Sequence, residues 1–515
     1  MNQRSLCIAA AVIIAISAVF RIVWLGHVPG VNGDEAWFGL SGIRLLEGDI
    51  SALMTPNGRL ANPFFVGLNA VVHVFRDPSF FTLRIPAVVS GLLLIVFSYV
   101  LLGSAFGRIV GLLATLLIAT SPLNIAYARF SWGASQTALF CLFPIYFAFK
   151  RRWVPLVVAL VALLLVHPAN VFFLPVLLGI LLGDVSSTGT LGSRRLWICV
   201  AMAALVIAVA GYATTNLYPE LVARYLAGVE ARLTDPTAAQ RFIGNSARFL
   251  SGTTVFEYIT GVGHYFTNWI YDLLVAGFLL AAPLLHAFRK HTPLTAQERG
   301  LGYGLLASAL AFYLIAGNSS IESGHERYAM FLVVPTFLLV AIFAGKLSWR
   351  WRNRASWSVV AFSAAMLAVF YGNYFHVIRT TGGEAHGARQ FRWTFMTGPE
   401  EPKAMAFRLI LQDAAHQETD SIAIFADDYW VYWCVRYLSA RRDNVRVGRF
   451  VGNTEPGRGE LVYAVAYTGT RSDQRMRLSS EWEYLTGPPT QSFSGRDLLS
   501  THRRVSLPVR DTLHP

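Results

Sequence analysis

Residues 6–25 read LCIAAAVIIAISAVFRIVWL, and about ten positions beyond that run the chain reads Gly33-Asp34-Glu35-Ala36. The apolar run is long enough to cross a hydrocarbon layer of about 30 Å. It lacks a small-residue cleavage pattern, and Phe20, Trp24 and Leu25 stand where one belongs, so it reads as a retained first span. An acidic pair placed where a spanning helix hands the backbone to water points to a carboxylate working at a membrane surface.

The rest of the chain agrees with a polytopic membrane protein. Of its 515 residues 54% are hydrophobic and only 14% charged, a balance that soluble proteins seldom show. Further apolar runs predict spans near 84–103, 109–125, 134–149, 153–168, 171–183, 196–213, 271–288, 300–317, 327–345 and 356–377. With the first this makes about eleven crossings. Basic residues set the orientation: Lys150-Arg151-Arg152, Arg194-Arg195, Arg289-Lys290 and Lys346 with Arg350, Arg352 and Arg354 fall in loops of one side, which the positive-inside rule makes cytoplasmic with the N-terminus. The loops 26–83, 121–133, 214–270 and 318–326, and everything past 378, then lie outside, together with the unusual polar residues.

The formal charge of +13 comes mainly from those inner loops. Residues 379–515 hold 18 Lys and Arg against 16 Asp and Glu, and no basic stripe interleaved with aromatics occurs, so nucleic acid is not an expected partner. Past residue 378 the apolar runs shorten to strand length at 421–426 and 461–466, with helical patterns near 402–418 and 428–440. The reading is a transmembrane unit, 1–378, and a small extracytoplasmic α/β domain, 379–515, joined through Thr381-Gly382-Gly383. The cysteines Cys7, Cys141, Cys199 and Cys434 leave the tail with a single thiol and no internal disulfide. Within loop 26–83, residues 34–46 alternate at helical spacing, as does 63–75, which suits helices lying in the interface with Asp34 at the bottom of a cleft.

The order of short motifs resembles the GT-C superfamily of membrane glycosyltransferases, in the branch of protein O-mannosyltransferases, the lipid A aminoarabinose transferase and rhizobial galacturonosyltransferases. The residues that carry the resemblance are Gly33-Asp34-Glu35-Ala36, Leu60-Ala61-Asn62-Pro63-Phe64, Leu83-Arg84-Ile85-Pro86, Phe106-Gly107-Arg108, Ser121-Pro122 with Tyr127-Ala128-Arg129, and Glu326-Arg327-Tyr328 with Pro335. The resemblance implies transfer of one sugar from a polyprenyl-phosphate carrier, with inversion, to a hydroxyl of a cell-envelope glycan, glycolipid or protein. It makes Asp34 the catalytic base with Glu35 as helper. The chemistry agrees independently, because an acceptor hydroxyl attacking C1 needs a carboxylate in reach, and a phosphate leaving group needs cations rather than an acid. Arg84, Arg129, Arg327 and Tyr328 are the candidate contacts to the donor phosphate. Trp37, Arg59, Asn62, His167, His264, Tyr265, His325 and Glu326 are the candidate substrate-binding residues.

Each has a plainer reading. Asp and Glu favour helix N-termini, arginines beside spans reach for lipid headgroups, and His325 could simply pair with Glu326. Two departures from the family pattern bear on the chemistry. No carboxylate follows Arg129 in Phe130-Ser131-Trp132-Gly133-Ala134-Ser135-Gln136, and Asn62 stands where relatives often carry a basic residue. A catalytic divalent ion is therefore not expected, and no cofactor is. The competing class is a transporter or flippase of lipid-linked sugars, which would show inverted repeats and broken helices at the midplane; this chain instead gathers its polar residues at one face. Asp427-Asp428-Tyr429-Trp430 does not match the WWDYG-like motif of oligosaccharyltransferases, and the sugar and acceptor do not follow from these residues.

Overall fold

The computed structural model describes residues 3–188, 219–261, 266–288, 292–317, 321–383, 394–419, 421–450, 460–468, 470–485 and 498–505. The expected span 196–213 and the candidates His264 and Tyr265 lie outside the described residues. Every other expected span has a helical counterpart. The first is helix α1, Gln3–Ile22. Ile8, Val12, Ile16, Val19 and Ile22 stay exposed along it, as a lipid-facing stripe requires. Helix α4, Phe80–Phe97, continues through a wider turn into a 27-residue apolar rod that ends at Phe106. Among the described residues five helices are long and apolar enough to cross a membrane, and shorter apolar helices pack among them. The chain is an integral membrane protein.

Between α1 and α4 lie two further helices, α2, Gly33–Leu46, and α3, Pro63–Phe75. Both starts are written locally. Asn32 and Glu35 form a reciprocal capping box at α2, and Asn62 caps α3 with Pro63 at its first position. Most of α2 is buried, Trp37 at 5% exposure in a cluster with Ala61 and Val66, so this helix is wedged under the α/β part rather than spread on the interface.

One helix pair shows why small residues recur in the spans. Gly179 on one helix faces Gly300 and Gly304 on the other, Gly183 faces the Ala296 backbone and Gly304 also that of Pro175 and Val176, which lets the backbones touch. A Cβ at Gly300 would stand 2.0 Å from the Gly179 carbonyl oxygen, a backbone atom that cannot rotate away. Gly300→Leu is expected to cost at least about 1–3 kcal/mol through overpacking. Thermal unfolding in detergent would read this as a lowered midpoint, and an unchanged midpoint would show that the two helices can separate freely.

The C-terminal part carries a five-stranded mixed sheet in the order β2-β1-β3-β5-β4, with β1 Ile422–Ala426, β2 Val445–Arg449, β3 Leu461–Tyr467, β4 Trp482–Tyr484 and β5 Leu499–Arg504. β1 runs parallel to β2 and β3; β5 is antiparallel to β3 and β4. Helices Pro402–His416 and Tyr429–Leu438 stand close to the expected bounds, and both pack on the core of Ile422, Ile424, Tyr463 and Val465.

This α/β part is tied down to the membrane part. Gly382 and Gly383 turn the chain at positive φ, and the returning segment bonds back to them through Thr397 N–H and the Gly382 carbonyl, 2.9 Å. Gly30 N–H donates to the Phe395 carbonyl at 3.0 Å, the Thr397 hydroxyl to the His27 carbonyl, and Val31 N–H to Glu401 at 3.3 Å. Tyr437 bonds the Ser79 carbonyl at 3.1 Å and meets His73 at 3.3 Å, and Arg441 pairs with Asp77 at 3.0 Å. At the opposite end of the bundle Arg151 pairs with Asp184, and Lys346 with Glu298. The described parts of the loops around Gly30, Ser131 and Arg327 therefore meet at one end, and Arg151 and Lys346 lie at the other.

Candidate active site

The segment 26–35 is pinned from below by two arginines. Arg84 is fully buried and has all five donors engaged: two on Glu35, at 2.8 Å each, and the others on the carbonyls of Leu25, Pro29 and Gly30. Glu35, equally buried, accepts in addition from Asn32 N–H at 3.2 Å and Ser131 N–H at 2.9 Å. Bidentate pairing of this kind fixes geometry as well as charge. Arg129 is also buried, donating to the carbonyls of Phe20 and Val28 and lying 4.8 Å from the Phe375 ring. Both guanidinium groups are shut off from solvent. Their cationic groups hold the loop that carries Asp34.

Asp34 itself stands apart from this buried set. Its side chain keeps 38% exposure, and 4.0 Å away Arg327 Nη1 faces it with 30%. Burial is the main cause that raises the Asp34 carboxyl above its ordinary value; Glu35 pushes the same way, while Arg327 and Tyr429 oppose. Arg327 is cradled by aromatics, with its guanidinium carbon 5.4 Å from the Trp132 ring and 5.2 Å from that of Tyr328. Trp132 is anchored in turn by an indole N–H to Asn32 contact of 3.3 Å.

Beyond Arg327 the ring of Tyr328 lies between two histidines, 5.4 Å from His167 and 5.9 Å from His325. His167 Nδ1 accepts from Ala169 N–H at 3.2 Å, an arrangement that requires a lone pair there and leaves Nε2 as the protonated nitrogen of a neutral ring. Glu326 is turned away from this cluster into the protein. It is fully buried, accepts from Gly324 N–H at 3.1 Å, and burial pushes its carboxyl up to about 7.

Several expected contacts are placed elsewhere. Asn62 is buried, its oxygen capping α3 and its amide donating to the Gly133 carbonyl and to Gln136, both at 2.9 Å, so it joins two loops and has no capacity left for a ligand. Trp37 is in the packed cluster described above. Arg59 is exposed on the turn between Met54 and Leu60, where its backbone pairs with Thr55. The structure thus brings Asp34, Arg327, Tyr328, His167 and His325 into one neighbourhood, and sets Glu35, Arg84, Arg129, Asn62, Trp37 and Glu326 behind it as packing and anchoring residues. Among the described residues no group of three His, Cys, Asp or Glu could hold a metal ion. Glu35, the acidic neighbour of Asp34, already has both oxygens engaged by Arg84.

Three further residues stand at or behind the site. Tyr429, at the start of the helix after β1, stands beside Asp34 from the α/β part and opposes the rise of its carboxyl. The Tyr258 ring lies tilted against that of Trp132, with centroids 6.4 Å apart. Arg21, inside α1 and fully buried, donates to the carbonyls of Ser17 and Ala119, both at 3.2 Å.

No family model and no curated protein sequence matches this chain. Its fold is similar to that of ArnT from Cupriavidus metallidurans. The apo structure gives a TM-score of 0.50 at 14% identity over 96% of this chain and 97% of that one. The structure with undecaprenyl phosphate gives 0.54 at 16% identity over 96% and 98%. An oligosaccharyltransferase from Archaeoglobus fulgidus scores 0.49 at 13% identity over 90% of this chain and 70% of that one. The chain has the GT-C fold: a helical membrane bundle with a small C-terminal α/β sheet.

Proposed function

We propose that this protein is an inverting glycosyltransferase that moves one sugar from a polyprenyl-phosphate carrier to a hydroxyl acceptor, with Asp34 as general base. One observation carries the reading. Of the charged groups gathered around residues 26–35, Glu35, Arg84, Arg129 and Glu326 are buried, whereas Asp34 and Arg327 face each other and remain partly open. A carboxylate to take a proton and a guanidinium to meet a phosphate, side by side, are what a single displacement at C1 needs. Inversion follows from that single displacement. The similarity in fold to an ArnT structure holding undecaprenyl phosphate supports the lipid carrier as donor.

Arg327 takes the leaving phosphate in this reading, with Tyr328, His167 Nε2–H and His325 as neutral donors beside it. Charge compensation is assigned to Arg327 and not to a divalent ion, because among the described residues Asp34 has no second available carboxylate next to it. The basic loops around Arg151 and Lys346, at the far end of the bundle, support a cytoplasmic N-terminus and an extracytoplasmic site, in a bacterial plasma membrane. The acceptor is a cell-envelope glycan, a glycolipid or a protein hydroxyl.

Purified protein with radiolabelled polyprenyl-phosphate sugars tests the assignment. Arg327→Ala is expected to lower transfer roughly 10²–10³-fold, the loss typical of removing one charged stabiliser of a developing anion. Arg327→Lys would recover part of it. If Arg327→Ala left donor kinetics intact, the phosphate would have to sit elsewhere.

A further inference from the structure

The α/β part reaches the reacting carboxylate as well as covering it. Gly33, first residue of α2, lies so close to the Tyr429–Leu438 helix that a Cβ there would stand 3.1 Å from the Trp430 Cα and 3.2 Å from the Tyr429 carbonyl oxygen. Cys434 on the same helix contacts the Val31 carbonyl at 3.6 Å. On the other side of the loop, a Cβ at Gly30 would stand 2.1 Å from the Met396 carbonyl oxygen. Residues 30–34 are thus clasped between two segments of the C-terminal part, and the helix that forms one jaw brings Tyr429 beside Asp34.

We propose that Tyr429 is a positioning residue for the base: its hydroxyl, supplied by the α/β part, orients the Asp34 carboxylate toward the acceptor. This rests on the reading of Asp34 as base. The groups that face Asp34 are Glu35 on its own helix, Arg327 from the loop before Met330, Tyr258 from helix Thr253–Thr260, and Tyr429. Arg327 attracts the proton-free form through charge; Glu35 opposes it. A phenol differs from both, since a directed O–H fixes one carboxylate oxygen in place and leaves the other to take the acceptor proton. The Tyr429 ring in turn meets that of Trp433 edge-on within the α/β part, with centroids 6.0 Å apart.

The carboxylate loses a donor in Tyr429→Phe while the ring remains, so the folded structure should persist. Removing a donor to the charged form raises the pKa of Asp34, and the acid limb of kcat/KM moves to higher pH by about one unit. The same variant is expected to lower kcat roughly tenfold at neutral pH with KM for the lipid donor unchanged, as loss of alignment at the base would do. Tyr432→Phe is the control, because that phenol bonds Arg436 on the exposed side of the same helix. If Tyr429→Phe matches the unaltered protein in kcat and in acid limb while Asp34→Asn is inactive, the positioning role is refuted and the base assignment stands. If Asp34→Asn itself transfers sugar, the base assignment falls and the role of Tyr429 with it.

Discussion

Asp34→Asn is expected to remove sugar transfer by roughly 10²–10⁴-fold, the range that a positioned general base contributes. The exchange is nearly isosteric, and an amide can still accept from Tyr429, so the cleft should keep its shape. What the amide lacks is a basic oxygen for the acceptor proton. Donor binding, read by protection against thermal unfolding with undecaprenyl phosphate, should survive, because Arg327 and not Asp34 meets the phosphate in the proposed mechanism. The pH profile separates this from a loss of structure. Burial raises the Asp34 carboxyl above its ordinary 3.8, and the base works only when ionised, so activity in the unaltered protein falls as pH drops through that raised value. The residual rate of the variant should lack that limb. Full transfer by Asp34→Asn, or an acid limb that stays in place, would end the assignment of the base.

How much of this could be read from the chain differs between its parts, for physical reasons. Spans are governed by composition over some twenty residues, so hydropathy located them, and α3 was legible to the residue because Pro63 and the capping Asn62 mark its start locally. Strands β1 and β3 are buried throughout and read as apolar runs. Three other strands escape such a reading: β2 and β4 are edges with alternating or exposed residues, and β5 buries Ser500, Thr501 and His502, whose polarity hides their place in the sheet.

In the site the limit is of another kind. Asp34, Glu35, Arg84, Arg129 and Arg327 are all identifiable as unusual charges, yet sequence position says nothing about which of them turns inward. That choice is made by carbonyl groups of an irregular loop, at Leu25, Val28, Pro29 and Gly30, which need donors once they are buried and find them in Arg84 and Arg129. Loop carbonyls leave no pattern in side-chain sequence. Tyr429 is a stronger case, since it meets Asp34 from 395 positions away in a segment where nothing but fold topology directs it to the site.

The inward arginines make a second large expectation, on stability. In Glu35→Gln the volume is kept, but Arg84 is left as a buried charge with neutral partners only. Breaking a buried pair in this way typically costs about 3–5 kcal/mol, because the remaining ion keeps its desolvation penalty without its counter-charge. The effect should be larger than for an ordinary surface pair, since both side chains of this one show 0% exposure and water cannot replace the lost partner. The unfolding midpoint in detergent should drop accordingly, and the loop that carries Asp34 should become sensitive to protease. Replacing both members, Glu35→Leu with Arg84→Met, removes the charge problem and should regain part of the midpoint. It also releases the carbonyls of Leu25, Pro29 and Gly30 from their donors, so recovery should be incomplete. The two variants separate a structural pair from a catalytic one. If Glu35→Gln kept its midpoint and lost only transfer, Glu35 would belong to the chemistry, and the division between an open Asp34 and an anchoring Glu35 would have to be redrawn.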